Sequence, residues 1–185
     1  MTGDRRSRLE DGRLPLDFQA FYLGVEEMYH SYATEILGNR EDAEEAVHEA
    51  FCLIRDEWAD LLSSSNVEEG AWSVLRLATM RRLRSGSGRP AFVAKGAFAR
   101  AMDAAGDQLA VLEESIGLYA AIAELPNRQF DVIVLQYVIG YPVTRTAWLL
   151  GLDERTVDYH GRKGKEYLRR QLGIPEVTRI KEVRK

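Results

Sequence analysis

Few side chains in this 185-residue chain have the types and spacing that covalent chemistry requires. His48 and Cys52 stand four apart and can share a helix face, as metal ligands do, and His30 would be a third donor. These residues lie on or beside an apolar stripe and no fourth ligand is placed, so core and surface roles account for them better. "GRKGK" (161–165) resembles a phosphate loop, but lacks the full P-loop spacing and a preceding strand. No nucleophile–base pair and no supported carboxylate dyad is present. The chain does not read as an enzyme, and neither a metal nor a cofactor is expected. What remains is hydrogen-bonding chemistry. Arg155, Thr156, Asp158, Tyr159, Arg162 and Lys163 crowd nine positions. Their donors suit base edges and phosphates in a major groove, and Asp158 can accept from a cytosine amine.

Such residues need a rigid element to present them. "GLDERTVDYHGRKGKEYLRR" (151–170) reads as a turn and a helix, with Asp153 as its N-cap. Val157, Gly161, Gly164 and Leu168 fall on one face, and the polar set falls largely elsewhere. The preceding residues 143–150 form a short helix, with Ala147 at a close contact and Gly151 in the turn, as a helix-turn-helix requires. Two glycines inside the second helix cost about 1 kcal/mol each against alanine. Either they permit close packing, with Trp148 or Tyr137 filling the space, or the helix is weak and orders on DNA.

The rest of the chain is helical by periodicity. Phe18, Phe21, Tyr22, Val25, Met28, Tyr29, Tyr32, Ala33 and Ile36 form one stripe, stopped at Gly38-Asn39. A second helix starts at Glu41, buries Ala43, Ala46, Val47, Ala50, Phe51 and Ile54, and extends through Trp58, Leu61 and Leu62. A third spans about 67–83. "RSGSGRP" (84–90) has linker chemistry. Periodicity returns at Val111. No strand-like alternation persists and no repeat is found. The fold class is therefore all-α: two small helical domains joined by a flexible linker. The expected boundaries are an N-terminal arm at 1–15, a first domain at 16–84, a linker at 85–110, a second domain at 111–172 and a basic tail at 173–185.

Net charge is −4, whereas a chain that holds nucleic acid alone is usually basic. The charge is segregated, however. Acids dominate 26–60. Arg76, Arg81, Arg82, Arg84, Arg89, Lys95 and Arg100 face no acid within their block, and 103–124 is acidic again. Basic surfaces suit phosphate, and the acidic block suits a basic partner. One cysteine rules out an internal disulfide, which fits a reducing cytosol. The N-terminus is charged with no apolar core, and no apolar run approaches bilayer length. The expectation is a cytoplasmic protein without membrane insertion.

The motifs in order resemble the extracytoplasmic-function (ECF) sigma factors. Leu125-Pro126, Ala147 to Gly151 with Leu150, and Thr156-Val157 match the pattern of their region 4. "FQAFYLGVEEMYHSYATEILGNREDAEEAVHEAF" is similar to region 2, and "AWSVLRLATMRRLR" (71–84) sits at its promoter-melting helix. The likeness covers about 16–84 and 111–172. Departures are His48 for the usual Gln, Met80 and Arg84 near an expected Asn and Asp, Arg145 and Thr146 before Ala147, and Gly161 for Leu.

The resemblance implies core RNA polymerase as partner, met at its β′ coiled coil and β flap, with Asp42, Glu45, His48, Glu49 and Phe51 on the docking face. It implies promoter DNA: Trp72, Arg76, Arg81, Arg82 and Arg84 at the melted downstream element, and Arg155, Thr156, Asp158, Tyr159, Arg162 and Lys163 at the upstream element. Such a factor is held on DNA by polymerase, so it can be acidic overall. The family often has an anti-sigma partner that clamps both domains, and the linker permits that compact state. Two other readings stand beside this one: a helix-turn-helix regulator that has lost initiation activity, and a protein-interaction module of two helical bundles.

Overall fold

A computed structural model describes residues 14–94 and 121–173. The expected arm, most of the linker, the start of the second domain and nearly all of the tail lie outside the described residues. Within them every regular element is helical and none is a strand.

Helix α1 (Leu16–Leu37) buries Phe18, Val25, Met28, Tyr29, Tyr32, Ala33 and Ile36, the periodic stripe of the sequence. It ends at Gly38, whose φ of 80° lies in the left-handed region. Asn39 then caps α2 (Arg40–Asp56) by accepting from the Asp42 amide at 2.7 Å. The expected extension of α2 through Leu62 breaks at Glu57, and a separate α3 (Trp58–Ser63) follows. The break turns Trp58 onto α1, with its ring 5.3 Å from Phe18 and 5.2 Å from Phe21. Those aromatic contacts are long-range, so helical period alone does not reveal them. Asn66 caps α4 (Val67–Ser85), accepting from the Glu69 amide at 3.0 Å. Helices α1, α2 and α4 pack as a three-helix unit.

Residues 91–110 read from the sequence as linker or short helix, and the described start of that stretch is helical. Residues Ala91–Ala94 form the short α5, with Phe92 and Val93 buried and Phe92 6.2 Å from Phe130 in the second half. Gly38 serves this approach as well as its own turn, because a Cβ there would come within 2.5 Å of the Ala91 Cβ.

The second half contains α6 (Asn127–Ile133), which continues as a π-helical segment, Val134–Ile139. The wider turn buries both Val134 and Leu135, and the Tyr141 amide returns to the Leu135 carbonyl at 2.8 Å. Helices α7 (Val143–Leu150) and α8 (Glu154–Gln171) are the last of the described elements. The two halves share one core: α1 packs on the π segment and α4 on α7.

Gly38→Ala should lower stability by about 1–2 kcal/mol for the left-handed backbone, with a further cost from the Ala91 overlap. Gly140→Ala carries the same kind of backbone strain (φ 87°) but meets open space. Thermal melts of the two variants should therefore show the larger loss at Gly38.

Candidate nucleic-acid interface

The helix-turn-helix forms from local signals. Helix α7 ends at Gly151 (φ 63°), and the Leu152 amide closes the turn onto the Ala147 carbonyl at 2.9 Å. Asp153 caps α8 as expected. One of its oxygens accepts from the Thr156 amide at 2.9 Å and the other from the Thr156 hydroxyl at 2.7 Å. These bonds hold the Asp153 carboxyl below its ordinary range. Thr156 is thus half-buried and committed to the cap.

The outer face of α8 carries Arg155, Asp158, Tyr159, Arg162 and Lys163, all exposed. Lys163 pairs with Glu166 at 2.7 Å, which raises its ammonium above the usual range. Positive charge exceeds negative across this face, as phosphate contact needs. Its opposite face is buried at Val157, Gly161, Gly164 and Leu168.

The glycines are packing positions. A Cβ on Gly164 would lie 3.0 Å from Ile133 Cγ1, and one on Gly161 would lie 3.2 Å from Gln136 Oε1. Helix α6 and its π extension, rather than Trp148 or Tyr137, fill the space. Trp148 instead lies over Gly24 of α1, and Tyr137 receives the Lys165 ammonium 5.2 Å from its ring centre. His160 also sits on this side. Burial lowers its imidazole, with the Arg128 charge adding to the effect.

The residues expected at a melted strand are differently placed. Trp72 is 1% exposed and belongs to the core. Its indole N–H donates to Asp131 Oδ2 at 3.0 Å, and the Arg76 Nε donates to Asp131 Oδ1 at 2.9 Å. Arg82 bridges Asp42 at 2.6 Å and Glu45, and Arg81 meets Glu49 at 2.5 Å. Arg84 is exposed. Two of the arginines expected at a strand, Arg81 and Arg82, therefore neutralise three of the acids expected at polymerase. The Asn39 and Arg82 hydrogen bonds hold the Asp42 carboxyl low. His48 is exposed, 3.6 Å from the Cys52 sulfur. Phe51, expected on a polymerase-docking face, is instead buried, 4.5 Å from the Tyr22 ring and stacked 5.4 Å from Tyr29, as part of the core. No group of three or more His, Cys, Asp or Glu side chains suited to a metal occurs among the described residues.

Asp131 was not anticipated as a functional residue. It is 1% exposed and takes three hydrogen bonds, the third from the Tyr32 hydroxyl at 2.8 Å. Burial pushes its carboxyl above the ordinary range, and Arg76, Trp72 and Tyr32 pull it back. A lone acid inside the apolar run 130–135 is the one sequence signal for it.

An exposed helix with excess positive charge, set by a helix-turn-helix, is the arrangement that DNA-binding motifs use. Residues 116–168 match the family described as "Sigma-70, region 4". Solved structures give five matching chains. One is the sigma factor RpoE in complex with the anti-sigma factor NepR from Bartonella quintana, at 16% identity and a TM-score of 0.42, covering 86% of this chain and 99% of that one. No curated protein sequence matches. No described helix is long and apolar enough to cross a membrane.

Gly161→Ala should leave the melting temperature unchanged or raise it, because the end of Gln136 can move and helix propensity improves by about 1 kcal/mol. Gly164→Ala should lower it, because Ile133 is fully buried and cannot yield. A differential melt of the two variants checks the packing role.

Proposed function

We propose that this protein is an ECF-type sigma factor that binds core RNA polymerase and directs promoter recognition and initiation. The carrying observation is the coincidence of the region 4 match with a helix-turn-helix whose outer face is basic and exposed. In this reading, Arg155, Arg162 and Lys163 contact phosphates or base edges of the upstream element, and Asp158 and Tyr159 read bases beside them. Thr156 holds the Asp153 cap that starts the reading helix. The acids of α2, with His48, dock on polymerase. The same reading places the protein in the cytoplasm and gives it a binding role rather than a catalytic one. An anti-sigma partner that holds both halves is part of this proposal.

A second reading is favoured by the burial of Trp72 and the internal pairing of Arg76, Arg81 and Arg82. A helix-turn-helix regulator without initiation activity would bind duplex DNA alone and would not open promoters.

Purified protein mixed with core polymerase should co-elute and support run-off transcription from genomic fragments. Glu45→Lys and His48→Ala should weaken co-elution. Arg155→Ala and Arg162→Ala should each reduce promoter-specific transcript about tenfold or more, in line with about 1–3 kcal/mol per base-reading contact, with co-elution retained. Absence of co-elution at low salt would exclude the sigma reading and favour the regulator.

A further inference from the structure

The seam between the two halves is polar at its centre. Asp131 belongs to α6, and its three donors belong to α1 and α4: Tyr32, Trp72 and Arg76. Around it lie other cross-seam contacts. The Asn66 side chain donates to the Gly151 carbonyl at 2.6 Å, Arg128 pairs with Glu69, and Arg145 Nε meets the Met28 sulfur at 3.1 Å. A cleft of about 490 Å³ opens beside Asp131, with Arg76, Arg84 and Arg128 on its walls.

We propose that Asp131 is an internal latch: its carboxylate fills the donor site of Tyr32, Trp72 and Arg76 and holds the chain closed, so that this site is free for a promoter strand only after the halves part. A carboxylate at this point mimics a strand phosphate, since both present anionic oxygens to a guanidinium and neighbouring donors. The same donors cannot serve both. Closure is thus a competitor built into the chain, and it also keeps Trp72 out of solvent. The relevance to a promoter strand rests on the sigma reading above, whereas the latch itself does not.

Latching differs from ordinary core packing in where its loss is felt. Among the described residues, helix α2 packs on α1, α3 and α4 and has no substantial contact with the second half. Opening the seam should therefore spare it. Hydrogen exchange of the full chain, read helix by helix, makes the distinction. Asp131→Asn removes the charge while keeping the shape. Glu69→Arg sets a like charge against Arg128 and leaves the buried site untouched. Both variants should speed exchange in α6 and α7 about tenfold or more, the scale of a lost charged hydrogen bond, with α2 unchanged. Unchanged seam rates in both variants, or equal acceleration of α2, would overturn the latch. If Asp131→Asn loses helical content, Glu69→Arg decides by the same criterion.

Run-off transcription with core polymerase at limiting factor then tests the consequence. The opened variants should need less protein for the same transcript. An unchanged requirement, with wild type active, would overturn the regulatory role. Selective seam opening with no transcription even from wild type would leave the latch standing and remove the sigma reading.

Discussion

One buried carboxylate organises the relation between the two halves. Taking an ionised carboxylate out of water costs several kcal/mol unless it is paired and fully hydrogen-bonded. Asp131 meets that demand with donors from two helices of the other half. If the halves separate, the carboxylate is hydrated again, while Trp72 and Tyr32 lose cover. If they close imperfectly, a buried charge is left under-satisfied. The contact is therefore geometrically demanding, and it selects one relative placement of α6 against α1 and α4. Phe92 against Phe130, and Arg76 5.9 Å from the Phe130 ring, add apolar and cation–π contact at the same place.

The other charges behave differently. Arg81 and Arg82 pair with Glu49, Asp42 and Glu45 at sites a third or more exposed on nearly every partner. Exposed pairs contribute about 0–1 kcal/mol and exchange readily. A basic partner arriving on the α2 acids would release these arginines at little cost, and a phosphate arriving on the arginines would release the acids. On the proposed function, the two surfaces are coupled through shared ion pairs, so that docking at one would favour binding at the other. This offers a physical account of how an acidic chain can engage DNA as part of a complex.

Legibility in the sequence followed the range of the interactions. The start of α1 at Leu16, its stop at Gly38, the cap at Asp153 and the turn at Gly151 rest on residues within four positions of one another, and helical period with cap chemistry reads them. Asn39 and Asn66 read from the sequence only as helix ends, although they cap the helices that follow. The exposed and buried faces of α8 were legible for the same reason, since its charge pattern and its buried positions share one helix. The break at Glu57 and the anchoring of Phe92 depend on distant aromatic partners. Trp72 illustrates the limit. Its place in the chain suggested a strand-stacking residue, but its indole N–H is satisfied by an acid 59 positions away. Tyr32 and Asp131 are 99 apart. No local pattern encodes such a pair, and a single acid in an apolar run gives only a hint of it.

Helix α6 joins these two kinds of contact. Toward α1 and α4 it presents Asp131, a charged group that water can replace. Toward α8 it presents Val132 and Ile133, which a Cβ on Gly161 or Gly164 would meet at 3.4 and 3.0 Å respectively. Close apolar packing of this kind has no substitute in water, because separating it exposes hydrocarbon and leaves a void no solvent hydrogen bond repairs. Both boundaries carry apolar packing, but only the seam is centred on a charged group that water can rehydrate. When the halves part, α6 and α8 should travel together, so the reading helix keeps its support in both states. The glycines that lower intrinsic helix propensity in α8 thus secure it to the element that carries the latch.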